Sequence, residues 1–401
     1  MKKFKYRALK KDGIRFDGVF EGTSKEELLT MLKSKEYYPL KVEEIIESKN
    51  IEFTLLEKKV KAKDLAIFCR QFYTMLDAGL TILNCLNILA NEIQNKTLRD
   101  VLSKLEEDVK KGEFLSESMG KHKDIFPKIL ISMVESGEAS GNIDEMMLRM
   151  SIHFEKENKI NNKVKGAMTY PIILAFVAIV AVAFIMLFVM PTFIDMFESE
   201  GVTLPLITKM LLGLSSFLSN NTIVITLVII GMVIAFNIYK KTDNGIESIS
   251  EIKLKIPVLG TLNKKVIVSR FTRTLSTLLA AGVSIVQALP IVAGVLDNKV
   301  AEDAILKVRE KVVKGEGLSG PIRENEIFPK MLSSMIRIGE ESGSLDDILN
   351  KTADFYDDEV EQEIQKATSL IEPIMIVIMG VVIGGIVLAV MIPMFNMYSE
   401  M

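Results

Sequence analysis

Three long runs of apolar residues interrupt an otherwise mixed pattern along the 401-residue chain. They cover residues 172–190, 222–239 and 374–392, and none contains Asp, Glu, Lys, Arg or His. A helix needs about 20 apolar residues to cross roughly 30 Å of hydrocarbon. The pattern therefore predicts three transmembrane helices, and an odd number places the two termini on opposite sides of the membrane.

Helical periodicity dominates the segments before the first and third runs. Apolar positions such as Leu65, Phe68 and Phe72 recur at intervals of three and four, which lines one face of a helix. Ala78-Gly79 is predicted to end the first of these helices, and Thr81 to cap the next one. Residues 63–165 and 264–371 are each predicted to form a cytoplasmic bundle of about six helices.

The two bundles are copies of each other. The stretch IFPKILISMVESGEASGNIDE at 125–145 returns as IFPKMLSSMIRIGEESGSLDD at 327–347, and residues 68–90 align with 271–293. The match extends over about 130 residues, which indicates a tandem duplication with too few copies for a solenoid. The predicted fold class is therefore mainly α, a polytopic membrane protein with two homologous helical modules.

The repeated motif supplies the candidate site residues. In the first copy they are Phe126, Pro127, Gly137, Glu138, Ser140 and Gly141, and in the second Phe328, Pro329, Gly339, Glu340, Ser342 and Gly343. Proline suits the first turn of a helix, and the last glycine suits the left-handed conformation after it. Asn142 and Ser344 are predicted to cap the following helix. The two glutamates are either contacts for a basic partner or exposed helix ends.

The remaining segments complete the predicted organisation. Residues 1–46 alternate like a small ββαβ domain, and the charged residues 47–62 indicate a linker. Residues 192–221 are predicted to form an external loop with an interfacial helix, or alternatively an early start of the next membrane helix. Residues 393–401 are predicted to form an external tail.

The composition is 49% hydrophobic and 25% charged. The lysines that flank the apolar runs predict how the chain is oriented in the membrane. The flanking lysines are Lys156, Lys159, Lys163 and Lys165 before the first run, and Lys240, Lys241, Lys253 and Lys255 after the second. The loop at 192–221 has only Lys209. By the positive-inside rule, the N-terminus and both modules are predicted to be cytoplasmic. The lysines before the first run either bind anionic membrane lipid or only anchor the topology.

The sequence motifs predict no enzymatic activity, no cofactor, no metal ion and no nucleic-acid partner. No G-x-x-x-x-G-K-[ST] phosphate loop occurs. His122 and His153 have no second ligand at metal-binding spacing. Cys69 and Cys85 are interpreted as small buried side chains, because a disulfide is unexpected in a reducing compartment. The apolar runs also contain none of the ionisable groups on which ion relays depend.

Glycines in the third run offer a different kind of site. Gly380, Gly384 and Gly385 form a small-xxx-small pattern, which lets two membrane helices approach closely. The alternative is that glycine is simply common in membrane helices.

These motifs resemble the type II secretion system protein F family, which includes the inner-membrane platform proteins of type IV pilus machines. The resemblance rests on the two F-P and G-E-x-S-G motifs and on runs that end in Pro-x-Phe at Pro191 and Pro393. It also includes the stretch Tyr6–Gly22 and the external pattern of Leu204, Pro205 and Thr208. One departure is that Tyr170 stands in the first copy where the second has Glu372.

The resemblance implies a non-enzymatic platform in the cytoplasmic membrane, present as a dimer or higher oligomer. Its implied partners are a hexameric assembly ATPase, pilin or pseudopilin subunits, and other inner-membrane assembly proteins. A pilus assembly platform is the first hypothesis, and a type II secretion platform is the alternative within the family. A small-solute channel or transporter is the alternative of another class.

Overall fold

The computed structural model describes residues 2–9, 15–22, 25–34, 37–45, 59–193, 206–257 and 259–400, which are mainly helical. The chain divides into two compact units, Met1–Lys58 and Lys59–Met401. The boundary between them falls in the predicted linker, of which residues 47–58 lie outside the described part of the chain.

The described residues of the N-terminal unit form three strands and one helix. They are β1 (Lys2–Leu9), β2 (Arg15–Gly22), α1 (Lys25–Ser34) and β3 (Tyr38–Ile45). The sheet order is β2-β1-β3, and β1 pairs antiparallel with both neighbours. Ala8, Leu28 and Leu32 are fully buried and form a small core between the sheet and the helix. This core is the only one that the unit's described residues supply.

The first module is a bundle of six helices. They are α2 (Ala62–Asp77), α3 (Ile82–Glu92), α4 (Lys96–Lys110), α5 (Leu115–Gly120), α6 (Lys128–Ser140) and α7 (Ile143–Phe184). Phe126 is fully buried, and its ring centroid lies 6.0 Å from that of Phe68. Gly79 has a φ of 84° just after α2, and the Thr81 hydroxyl accepts the Asn84 N–H at 3.3 Å. Both of these predicted helix ends are confirmed.

Among the residues described between the two modules, three helices form the connection. They are α8 (Leu206–Asn220), α9 (Thr222–Tyr239) and α10 (Asp243–Lys255). The Thr208 hydroxyl donates to the Ala389 carbonyl at 2.8 Å, and the Ser215 hydroxyl donates to the Met186 carbonyl at 2.5 Å. Helix α8 is thereby bonded to both long apolar helices of the chain. Asn221 separates it from α9, so it is not an early start of that helix.

The second module repeats the order of the first. Its helices are α11 (Leu259–Ala280), α12 (Ile285–Val295), α13 (Lys299–Val313), α14 (Ser319–Arg323), α15 (Lys330–Ser342) and α16 (Leu345–Glu400). Phe328 packs with Phe271 at a ring-centroid distance of 5.5 Å, in the positions equivalent to Phe126 and Phe68. The two copies therefore share their core contacts as well as their helices.

Each module runs into the apolar region through a single helix. Helix α7 continues through a π-helical turn, Ile185–Val189, and the helical stretch Ile143–Phe193 has 51 residues. Helix α16 has 56 residues and includes the predicted external tail up to Glu400. These two helices are long and apolar enough to cross a membrane, and α9 is apolar but shorter. The predicted boundaries at 165 and 371 are thus not breaks in the chain's structure.

Candidate functional site

The duplicated motif forms the same turn in both modules. Gly141 has a φ of 78° and ends α6, and Gly343 has a φ of 69° and ends α15. The N–H of Asn142 donates to the Gly137 carbonyl at 3.0 Å, which closes the turn as in a Schellman motif. The predicted cap is wrong in one respect, because the Asn142 side chain makes no capping hydrogen bond. The backbone of this turn satisfies a carbonyl at the end of α6.

The glycine that precedes the glutamate allows two helices to meet. A Cβ at Gly137 would lie 2.9 Å from the Ile143 Cα, and one at Gly339 would lie 2.9 Å from the Leu345 Cα. Real Cβ atoms do not approach backbone atoms so closely, since packed interiors leave no room for overlap. The glycines are therefore required for the packing of α6 on α7 and of α15 on α16.

The glutamate of the motif caps a short helix inside its own module. The Glu138 carboxylate accepts the N–H groups of Leu115 at 2.5 Å and Ser116 at 3.1 Å, together with the Ser116 hydroxyl. The Glu340 carboxylate accepts those of Leu318 at 2.5 Å and Ser319 at 3.3 Å. A negative group is stabilised by the partial positive charge at a helix start.

This capping changes the interpretation of both glutamates. Each side chain is half-buried, so the alternative of an exposed helix end is wrong. Their contact with a basic partner stays a prediction. Sequence reasoning did not connect Glu138 with α5, although the sequences KKGEFLS at 110–116 and VKGEGLS at 313–319 recur together with the motif. The joint recurrence of these stretches was the sequence signal that could have linked Glu138 to α5.

A second duplicated pair joins the first and last helices of each module. The Arg70 guanidinium binds the Glu155 carboxylate with an N–O distance of 3.0 Å, and Arg273 binds Asp357 at 2.6 Å from equivalent positions. The side chains of the first pair are 41% and 50% exposed, and those of the second 11% and 14%. The sequence pattern did not predict this pair, and the shared arginine of FCRQF and FTRTL was its only trace.

The second pair is buried because the first module lies on it. The Ser136 hydroxyl donates to the Ala281 carbonyl at 2.8 Å, and the Arg270 guanidinium donates to the Asn161 amide oxygen at 3.1 Å. Two ion pairs link α7 to α16, Lys156 with Asp354 at 3.3 Å and Lys163 with Glu361. The lysines before the first apolar run thus face the acidic residues before the third. We call this contact between the modules the seam.

The seam encloses a small cavity of about 30 Å³ lined by His153, Arg270, Arg273 and Asp357. The His153 Nδ1 and the Arg273 Nε are buried there without a hydrogen-bond partner in the described part of the chain. Burial, and then the charge of Arg273, lower the pKa of His153 to about 4. This volume suits a bound water. The hydrogen bonds and ion pairs of the seam hold the two modules against each other.

The other predicted site residues lie apart from the seam. A Cβ added at Gly380, Gly384 or Gly385 would meet nothing within 4 Å, so this glycine face has no close helix neighbour among the described residues. Cys69 and Cys85 are buried free thiols, and burial raises the pKa of both. Over the described ranges, no cluster of three or more His, Cys, Asp or Glu side chains is placed to hold a metal ion.

The fold and its motifs define a class: a duplicated helical protein in which each bundle continues into a long apolar helix. The family model for the type II secretion system protein F matches twice, at residues 68–191 and 271–393. A model for the N-terminal domain of that protein matches residues 1–43. The chain belongs to the type II secretion system protein F family.

Individual relatives match along most of their length. The chain is 36% identical to the type IV pilus assembly protein PilC of Thermus thermophilus, over 99% of this chain and 98% of that protein. It is 38% identical to the type IV pilus assembly protein PilC of Myxococcus xanthus, over 84% and 81%. It is 28% identical to the type II secretion system protein F of Vibrio cholerae, over 100% of both chains.

Proposed function

We propose that this protein is the membrane platform of a type IV pilus assembly machine. The observation that carries the proposal is its end-to-end similarity to the pilus assembly protein of Thermus thermophilus at 36% identity, against 28% for the secretion protein of Vibrio cholerae. The two long helices support it, because they connect soluble bundles to apolar segments without a break. Such a chain is built to pass a conformational change between a cytoplasmic partner and the membrane.

The proposed topology has three transmembrane helices, with α9 as the second. Its apolar side chains are exposed in the structure, for example Ile223 at 79%, Leu227 at 64% and Met232 at 65%, as expected of a helix that faces lipid. The N-terminus and both modules are on the cytoplasmic side in this topology. A thiol reagent that cannot cross the membrane should label Lys209→Cys in intact cells and leave Lys314→Cys unlabelled. The reverse result would overturn the orientation.

The proposed partners are those that the family resemblance implies. A hexameric ATPase bound to the cytoplasmic modules would supply the energy, which agrees with a sequence that contains no phosphate loop of its own. The membrane helices would contact pilin or pseudopilin subunits and other inner-membrane assembly proteins. A second copy of the chain would pack at Gly380, Gly384 and Gly385, where the helix surface is open.

The glutamates of the motif offer a test of the ATPase contact. Glu138→Lys with Glu340→Lys should weaken binding of the purified ATPase if the carboxylates contact it. Because these carboxylates also cap helices, Glu138→Gln with Glu340→Gln is the matched pair, since glutamine keeps a hydrogen-bond acceptor. Loss of binding in both pairs, with unchanged helix content, supports the contact. Full binding by the glutamine pair rejects a charge contact.

Deletion of the gene tests the function itself. The deletion strain should lose surface pili, and the wild-type gene should restore them. Loss of protein secretion with intact pili would favour the type II secretion alternative. Solute flux through vesicles that contain only this chain would instead favour a channel or transporter.

A further inference from the structure

Helix α10 follows the apolar helix α9 after a short connection, residues 240–242. The Thr242 hydroxyl caps α10 by accepting the Gly245 N–H at 3.2 Å. A Cβ at Gly245 would lie only 1.9 Å from the Tyr239 carbonyl oxygen. Because Tyr239 is the last residue of α9, the face of α10 that carries Gly245 is held against the end of α9.

The same face of α10 carries isoleucines. Ile249 and Ile252 follow Gly245 at intervals of four and three, which is the spacing of one helix face, and Ile256 comes four residues later, directly after the last residue of α10. Ile252 is 56% exposed and Ile256 is 40% exposed. Ile249 is half-buried, so the apolar stripe on this side of α10 is uncovered toward its C-terminal end, at Ile252 and Ile256.

The other sides of α10 have different surroundings. The Ser250 carbonyl accepts the Asn298 amide at 3.0 Å, and the Ser250 hydroxyl accepts the Lys299 N–H at 3.0 Å, which binds α10 to the start of α13. Acidic residues repeat every four positions on the side away from the stripe, at Asp243, Glu247 and Glu251. Helix α10 thus has a face for the second module, an acidic face and an apolar face.

We infer that α10 lies in the headgroup region of the cytoplasmic membrane leaflet, with its isoleucine stripe turned toward the lipid. The inference rests on the proposal that α9 crosses the membrane. Exposed isoleucines on one face, with charged residues on the others, fit a helix that lies in the membrane interface, and the acidic residues would then face water, away from the lipid. Lys240 and Lys241, in the connection before α10, and Lys253 within it are all exposed and match anionic headgroups. Helix α10 then attaches the second module to the membrane surface.

The natural chain contains no tryptophan, so a single introduced tryptophan is an unambiguous reporter of depth. Three variants of the full chain are placed in vesicles of phosphatidylethanolamine and phosphatidylglycerol with brominated acyl chains. Ile252→Trp reports on the stripe, and Glu247→Trp is its matched control on the acidic face. Met232→Trp reports on α9. Quenching of Ile252→Trp should exceed that of Glu247→Trp by about threefold or more.

The outcomes separate this inference from the proposed topology. If Met232→Trp is quenched and Ile252→Trp is quenched no more than Glu247→Trp, the inference is overturned and the topology stands. Blue-shifted but unquenched emission from Ile252→Trp would also overturn it, because protein rather than lipid would then cover the stripe. An unquenched Met232→Trp would overturn the topology and the inference together. If Ile252→Trp fails to fold, Ile256→Trp makes the same measurement.

Discussion

Replacing Glu138 by alanine should lower the free energy needed to open the start of α5, and should do so more than for the other helices of the module. The substitution removes the acceptor of the Leu115 N–H at 2.5 Å and the Ser116 N–H at 3.1 Å. Losing a helix cap costs about 0.5–2 kcal/mol, and a hydrogen bond to a charged group contributes about 1.5–3 kcal/mol. Because the carboxylate is half-buried and makes two such bonds, we expect the opening free energy of α5 to fall by about 2–3 kcal/mol.

Native-state hydrogen exchange measures this change locally. A fall of about 2 kcal/mol corresponds to roughly 30-fold faster exchange of the α5 amides. Glu135→Ala is the matched control, because Glu135 is an exposed glutamate on the same helix α6. Glu340→Ala should have a smaller effect at α14, where the second contact is longer at 3.3 Å. Unchanged exchange in Glu138→Ala would refute the capping role.

Three further substitutions test other contacts. Gly339→Ala should lower the melting temperature, because the new Cβ meets the Leu345 Cα at 2.9 Å and overpacking costs about 1–3 kcal/mol, whereas Gly320→Ala, with open space around its Cβ, should not. Gly384→Leu should reduce crosslinking between copies in the membrane, and unchanged crosslinking would dismiss the glycine face as an interface. His153 has a pKa of about 4 in the fold, below its ordinary value of 6.5, so the unfolded chain binds its proton first. Stability should therefore fall as pH drops from about 6.5 to 4, by at most about 3 kcal/mol, and His153→Phe should remove that slope.

The sequence predicted the features that are encoded within a single helical turn. The glycine after α2, the threonine cap of α3 and the left-handed Gly141 all stand where the pattern places them, because each depends on backbone conformation nearby. The duplication also predicted that both modules would share one set of helices. Local features of this kind depend on a few neighbouring residues and not on how the helices pack.

The sequence did not predict contacts between distant positions. Glu138 is 23 residues from Leu115, and no periodic pattern links a carboxylate to a helix start at that separation. The seam joins Lys156 to Asp354, which are 198 residues apart, and no sequence pattern pairs them. Helix α10 was also missed, since its isoleucine stripe is interleaved with acidic residues. Such features depend on how helices pack, which a one-dimensional pattern does not determine.

Two long helical stretches each continue from a bundle into an apolar segment. At about 1.5 Å per residue, the 51-residue stretch ending at Phe193 is roughly 76 Å long, and the 56-residue α16 roughly 84 Å. If a helix of this length tilts as a rigid body by about 5°, its far end moves by about 7 Å, because no loop absorbs the rotation. Pro171 and Pro373 each remove one helix hydrogen bond near the bundle end of the apolar segment, so bending is least costly there. Both copies therefore place a proline, and with it the position of easiest bending, at the same point between bundle and apolar segment.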